Sequence, residues 1–286
     1  MSALNCDVLR RGAIIGLPSL LVVGFWLWWP GEGLLDKHST YIGRDFGFLW
    51  LAGRLALEGR VAEIYDLTAY WEALKATFGA AHRYGNMSYP PHLIPLILPL
   101  SALPYFAAWG IWQIGGLIGF TTAALGRLPR RSDVTATMLL VISPVAVLNL
   151  FLGQAGGLLA ALFIGAWRLV PTRPLLAGVL YGILTVKPQI GLLVAVALLF
   201  HGCWRTIAAA LMTAAGLVAL SLLILGVEPW IAYVQNTIPQ QERFLFIPDG
   251  FLSWMMHTPY DMLWLKRIPA GLALQLHAVI AVMIAI

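Results

Sequence analysis

Long apolar runs, separated by short polar stretches, dominate this chain. A helix needs roughly 20 apolar residues to span a bilayer, and fewer where protein shelters it. Candidate spans fall at 13–30, 104–125, 134–152, 155–170, 175–186, 189–200, 206–226 and 268–286. The 175–200 region is interrupted at Lys187-Pro188 and reads either as two short spans or as one long bent one. A proline and a lysine in such a stretch are tolerable beside a polar cavity. The expected fold class is therefore all-α, a polytopic transmembrane helical bundle of about seven or eight spans in one transmembrane domain, 1–286. Two longer polar segments, 31–103 and 227–267, stand apart as loops. In the first, Leu67, Tyr70, Trp71, Leu74 and Phe78 recur at helical spacing with Glu72 and Lys75 opposite, Asp66 as N-cap and Gly79 as stop. That pattern predicts an amphipathic helix on the membrane interface. Asp45 to Leu57 reads as a second helix with Arg54 and Glu58 on its polar side.

Composition strengthens the membrane reading. Hydrophobic residues make up 60% of the chain and charged residues 11%, against about a quarter charged in soluble domains. Charge also orients the chain. With the N-terminus in the cytoplasm, the inner segments hold Arg10, Arg11, Arg127, Arg130, Arg131, Arg168, Arg173 and Arg205, with only Asp7 and Asp133 as acids. The other side holds ten of the 18 Lys/Arg and eleven of the 13 acids. Basic short loops belong inside, so 31–103 and 227–267 are expected outside. The first run ends in Trp26, Trp28, Trp29 and Pro30, an aromatic edge that favours an uncleaved span over a signal peptide. Cys6 and Cys203 both fall on the inner side, where thiols stay reduced.

Four short motifs concentrate polar chemistry on the outer side. Gly43-Arg44-Asp45-Phe46 opens a helix, so Asp45 is either a general base at the membrane surface or merely a helix cap. Tyr89-Pro90-Pro91-His92 is a rigid turn into the next apolar run, and at the interface it would let Tyr89 and His92 line a site. Gly153-Gln154-Ala155-Gly156-Gly157 links two spans tightly, with the Gln154 amide at the mouth of the bundle and glycines suited to close approach. Lys187-Pro188-Gln189 places a cation inside an apolar stretch, at about 2.5–3.5 kcal/mol on insertion scales unless sheltered. Lys187 either snorkels or binds an anion, and Gln189 stands beside it. No Asp-x-Asp pair, metal-ligand histidine spacing or nucleotide-binding loop is present, so no metal and no cofactor are expected. His257 and Arg243, in the second loop, are candidates by location alone.

In this order the motifs resemble glycosyltransferase family 87. The likeness runs from about Gly43 to Arg205 through Arg44-Asp45-Phe46, Leu57-Glu58-Gly59-Arg60, Ile64-Tyr65-Asp66, Tyr89-Pro90-Pro91, Pro99-Leu100, Leu103-Pro104, Gly153-Gln154 and Lys187-Pro188-Gln189. The resemblance implies a GT-C-class membrane fold and a polyprenyl-phosphate sugar donor, with Asp45 as the catalytic aspartate. Members of the family are usually longer, and this chain stops at Ile286 inside an apolar run, so a C-terminally truncated or shortened relative is expected.

The function so implied is an inverting hexosyltransferase, mannose being the expected sugar. It would act on a lipid or glycan acceptor at the outer face of a bacterial cytoplasmic membrane, with membrane lipids as partners and no nucleic acid. Lys187 and then Arg44 would hold the donor phosphate; Tyr89, His92, Gln154 and Gln189 would bind substrate. The alternative is a transporter or flippase using the same broken helix, although the duplicated broken helices of many carriers are missing. The topology predicts that an impermeant thiol reagent labels a cysteine placed at position 75 in intact cells and spares one at 130; the reverse pattern would overturn it.

Overall fold

The computed structural model describes residues 41–79, 85–245 and 258–285, with Val22 and Leu35 besides. The expected first span 13–30 and His38, His82 and His257 lie outside the described residues. The regular elements among the described residues are all helical, and the chain divides into two compact units, residues 1–232 and 233–286.

The first unit opens with α1 (Asp45–Leu57), a short turn at Val61–Glu63 and α2 (Leu67–Phe78). The expected stops and starts are in place. The Asp66 carboxylate accepts from the N–H groups of Thr68 and Ala69 at 3.0 and 2.8 Å, the geometry of an N-cap. Gly79 ends α2 at φ 121°. On α1, Arg54 pairs with Glu58 at 3.2 Å on the exposed face. The apolar face of α2 does not wait for lipid as expected. Tyr70, Leu74 and Phe78 are buried in the protein, and Phe78 stacks on Tyr41 at 4.6 Å and meets Tyr105 edge-on at 5.1 Å. Protein supplies the apolar surface that the sequence pattern assigned to the membrane interface.

A tight turn at Pro91–Leu93 leads to α3 (Ile94–Ser101), then α4 (Tyr105–Leu125), α5 (Val134–Val141), α6 (Pro144–Leu152), α7 (Gly156–Leu169), α8 (Pro174–Leu184), α9 (Pro188–Phe200), α10 (Trp204–Leu225) and α11 (Glu228–Ala232). Among the described residues, only α10 is by itself long and apolar enough to cross a membrane. Two bent pairs raise that number to three: Pro91–Ser101 with Tyr105–Leu125, at 114°, and Arg131–Val141 with Val145–Leu152, at 67°. The expected single span 134–152 is thus two helices, because Pro144 lacks the N–H that would continue the first and Ser143 caps the second by accepting from Ala146 N–H at 3.3 Å. The runs at 155–170, 175–186 and 189–200 become α7, α8 and α9, apolar helices of 14, 11 and 13 residues, the last two separated at Lys187-Pro188.

Glycines let the backbones of α8 and α10 approach closely. Gly178 and Gly182 form a small-x-x-x-small stripe. A Cβ on Gly178 would lie 2.4 Å from Thr206 O, and one on Gly182 2.4 Å from Thr213 Cβ. Small residues are the means by which helices associate where lipid removes the hydrophobic drive. The pair α4–α7 repeats the device, since a Cβ on Gly157 would lie 3.0 Å from Gly116 O.

The second unit contains a single π-helical turn (Tyr233–Thr237), α12 (Ile238–Leu245), α13 (Pro259–Leu265) and α14 (Ala270–Ala285). Arg243 is exposed in the last turn of α12. The α14 segment matches the expected apolar run 268–286.

Gly178→Leu should force α8 and α10 apart. Overpacking of this kind costs about 1–3 kcal/mol, so the thermal midpoint in detergent should fall. The same substitution at Gly191, where an added Cβ meets nothing within 4 Å, should leave it near the parent value.

Candidate active site

The site begins with two backbones in contact. Gly153 ends α6 at φ 64°, and a Cβ there would lie 1.9 Å from Gly43 O. Only glycine satisfies both the left-handed backbone and the contact. Gly43 is itself hemmed in: its added Cβ would lie 2.6 Å from the Tyr105 hydroxyl, which donates to Ile42 O. The consequence is positional. The residue after Gly153 is Gln154, and two residues after Gly43 is Asp45, so the amide and the carboxylate meet.

Asp45 is not a helix cap. Arg44 holds the N-cap position and Asp45 the first helical one, and no side chain caps α1. The Asp45 carboxylate instead accepts a hydrogen bond from the Gln154 side chain. Burial pushes its carboxyl above the usual range, while Gln154, Lys187 and Arg44 pull in the other direction. The net displacement is upward, toward the neutral range where a general base works best. Arg44 is half-buried with φ 35° and ψ −105°, a backbone conformation that non-glycine residues rarely adopt and that tends to mark functional sites.

Lys187 reaches the same place from the break between α8 and α9. It holds the N-cap position of α9, Pro188 follows at N1, and its ammonium lies 5.7 Å from the centre of the Tyr89 ring, within cation–π range. Tyr89 is fixed from behind, because the Tyr65 hydroxyl donates to Tyr89 O at 2.8 Å. Burial, assisted by Asp45, pushes the Tyr89 phenol up to about 12, so it stays protonated and acts as a hydrogen-bond donor rather than a base. His92 forms a second rung between the same segments, its Nε2 lying 3.3 Å from Thr185 Oγ1. The Thr185 hydroxyl already donates to Gly182 O at 2.6 Å. Its single proton is committed there, so the Nε2–H of His92 is the donor of that rung and Nδ1 is left as an acceptor. His92 is buried, and its Nδ1 has no hydrogen-bond partner among the described residues. The ring is held flat against Trp230, centres 5.7 Å apart and planes 9° apart, and Trp230 is itself anchored by donating to Ser221 Oγ at 3.0 Å.

Of the candidates read from sequence, Asp45, Arg44, Gln154, Lys187 and Tyr89 gather at one place, and His92 adjoins them through Thr185. Gln189 is exposed. Tyr65, Thr185 and Trp230 were not singled out by sequence. Tyr65 sits in a quoted motif and Thr185 two positions before Lys187, but nothing local marks Trp230.

A comparison with known families matches residues 88–286 to glycosyltransferase family 87. The chain belongs to glycosyltransferase family 87. As a family 87 glycosyltransferase it takes a sugar donor and an acceptor, and with at least one helix fit to cross a bilayer it is membrane-associated. Membership sets aside the transporter reading. The matched region contains Tyr89, His92, Gln154 and Lys187 and runs beyond Arg205 to the last residue, but begins after Asp45; the aspartate joins the family 87 region through its contact with Gln154. No curated protein and no solved structure matches the chain.

The raised Asp45 pKa means that the base is protonated, and activity lost, as pH falls through a value above the ordinary aspartate value of about 4. The acid limb of kcat/KM should report it. Gln154→Leu removes the donor that favours the charged form and should move that limb to higher pH. An unmoved limb would separate Gln154 from the titrating group.

Proposed function

We propose that this family 87 protein is an inverting hexosyltransferase that moves mannose from a polyprenyl-phosphate donor to a lipid or glycan acceptor. The observation that carries this reading is Asp45, a half-buried carboxylate excluded from capping, held by an amide and faced by a lysine at the break between two apolar helices. Such a group has the surroundings of a general base. A polyprenyl donor suits a site placed at a helix break in an apolar region, where the lipid tail stays in the bilayer and the phosphate sits at its surface.

In the proposed step Asp45 takes the proton from an acceptor hydroxyl. The acceptor oxygen forms its bond to the anomeric carbon from the face opposite the phosphate, and the carbon–oxygen bond to the phosphate breaks. The electron pair leaves with the phosphate oxygen, where the Lys187 ammonium, with Arg44 beside it, steadies the growing charge. The phenol of Tyr89 donates to the sugar or the phosphate, and the bare Nδ1 of His92 accepts from a sugar hydroxyl. The chain carries this site on a GT-C-like bundle in a bacterial cytoplasmic membrane, with 31–103 and 227–267 outside and the N-terminus inside. The basic short loops and the one-sided clustering of the polar motifs support that orientation.

The test is a membrane assay with labelled polyprenyl-phosphate mannose. Asp45→Asn should abolish transfer with membrane insertion intact, and retention of more than about a tenth of the rate would remove Asp45 as the base. Lys187→Met should insert as well as the parent while donor binding and turnover both fall. Lys187→Arg should keep part of the function, since the charge survives on a larger planar head. Unchanged KM for the lipid donor and unchanged kcat in the Met variant would show that Lys187 only snorkels.

A further inference from the structure

The helices that meet at Lys187 also come together at their other ends. α9 has 13 residues, which sets its two ends about 20 Å apart at 1.5 Å per residue. At the far end the start of α8, the Gly202-Cys203 turn and the first turn of α10 border an open cavity of about 340 Å³, lined among others by Val170, Pro174, Trp204, Arg205 and Thr206.

Three observations give this cavity a chemistry. Cys203 stands at the N-cap of α10 but gives it no side-chain cap; its thiol lies 3.8 Å from His201 O instead. Trp204 N–H donates to Gly202 O at 2.8 Å, the Cys203 side chain offers no acceptor to the other first-turn N–H groups of this 22-residue helix, and the positive end of the helix dipole lies at the cavity wall. Thr206, in that same turn, is 0% exposed, lines the cavity, and its Oγ1 has no hydrogen-bond partner among the described residues. A buried hydroxyl without a partner costs free energy, and an oxygen-rich ligand in the cavity would relieve it. Charge is the third observation. Arg205 is exposed at the rim, Arg173 directly precedes α8, and no acidic residue occurs between Asp133 and Glu228.

We propose that this cavity binds the phosphate headgroup of an anionic membrane lipid. The N–H groups of Arg205 and Thr206, the Thr206 hydroxyl and the Arg205 guanidinium form a donor set for phosphate oxygens. Basic pockets between membrane helices are known to take anionic headgroups. The surface beside the cavity argues for a lipid over a free anion: Phe200 is 89%, Trp204 65% and Leu175 63% exposed, an apolar flank on which acyl chains lie while the headgroup enters. The site is separate from the sugar-transfer site and does not depend on the transfer reading.

The experiment is native mass spectrometry of the full chain released from detergent, with phosphatidylglycerol or phosphatidylcholine added. Phosphatidylglycerol should be retained in preference to phosphatidylcholine. Arg205→Gln, at an exposed position, and Thr206→Val, which keeps the shape, should each weaken that retention by about tenfold, the weight of one charge-assisted hydrogen bond. Excess inorganic phosphate should leave the lipid bound. Equal retention of the two lipids, or retention unchanged in both variants, would overturn the site. Displacement by inorganic phosphate would overturn the lipid assignment in favour of a small anion. Sugar transfer is not the readout, so a failed transfer assay leaves this result standing.

Discussion

The contact between Gly43 and Gly153 is the constraint on which the candidate site depends. Two segments more than a hundred residues apart touch through a carbonyl oxygen and a glycine Cα, with no room for a side chain between them. The aromatic group built from Tyr41, Trp50, Phe78 and Tyr105 packs behind Gly43 and gives it nowhere to retreat. With the first loop held against the α6–α7 link, Asp45 has Gln154 as a neighbour, and the break between α8 and α9 supplies Lys187.

Helix positions, the Asp66 cap, the Gly79 stop and the break at Lys187-Pro188 were legible because each is a local effect, written within a few residues. The polar motifs were legible as motifs for the same reason. Their convergence was not, since it depends on backbone contacts between distant segments; the family resemblance stood in for that knowledge. Among the described residues one to three helices or bent pairs are long and apolar enough to cross a membrane, fewer than the seven or eight apolar runs of the sequence. Hydropathy finds apolar runs but not the bends inside them, so 134–152 looked continuous across Ser143-Pro144. Nor did periodicity reveal what would cover the apolar face of α2. A helix with one greasy side looks the same whether lipid or an aromatic cluster will meet it. Trp230 was invisible because only the folded chain lays its ring on His92.

The bundle around the site treats its helices unequally. α8 meets α10 closely at Gly178 and Gly182, where an added Cβ has no room, whereas at Gly191 of α9 an added Cβ meets nothing within 4 Å. The Lys187 backbone therefore belongs to a well-anchored helix on one side and a weakly anchored one on the other. The cation stands in the break itself, at the N-cap of α9 and three residues past the end of α8, with its ammonium over the Tyr89 ring.

Arg44 shows where catalysis and stability part company. An L-residue held at φ 35° stores strain of about 1–3 kcal/mol, and glycine would adopt the same backbone at little steric penalty. A selection for thermal hardiness alone would therefore favour Arg44→Gly, extending the glycine at position 43 into a pair. Retaining arginine there keeps a positive charge beside Asp45 at the expense of a more durable chain. Position 44 is thus a place where an engineer seeking a more robust protein would be drawn first to the change that blunts it.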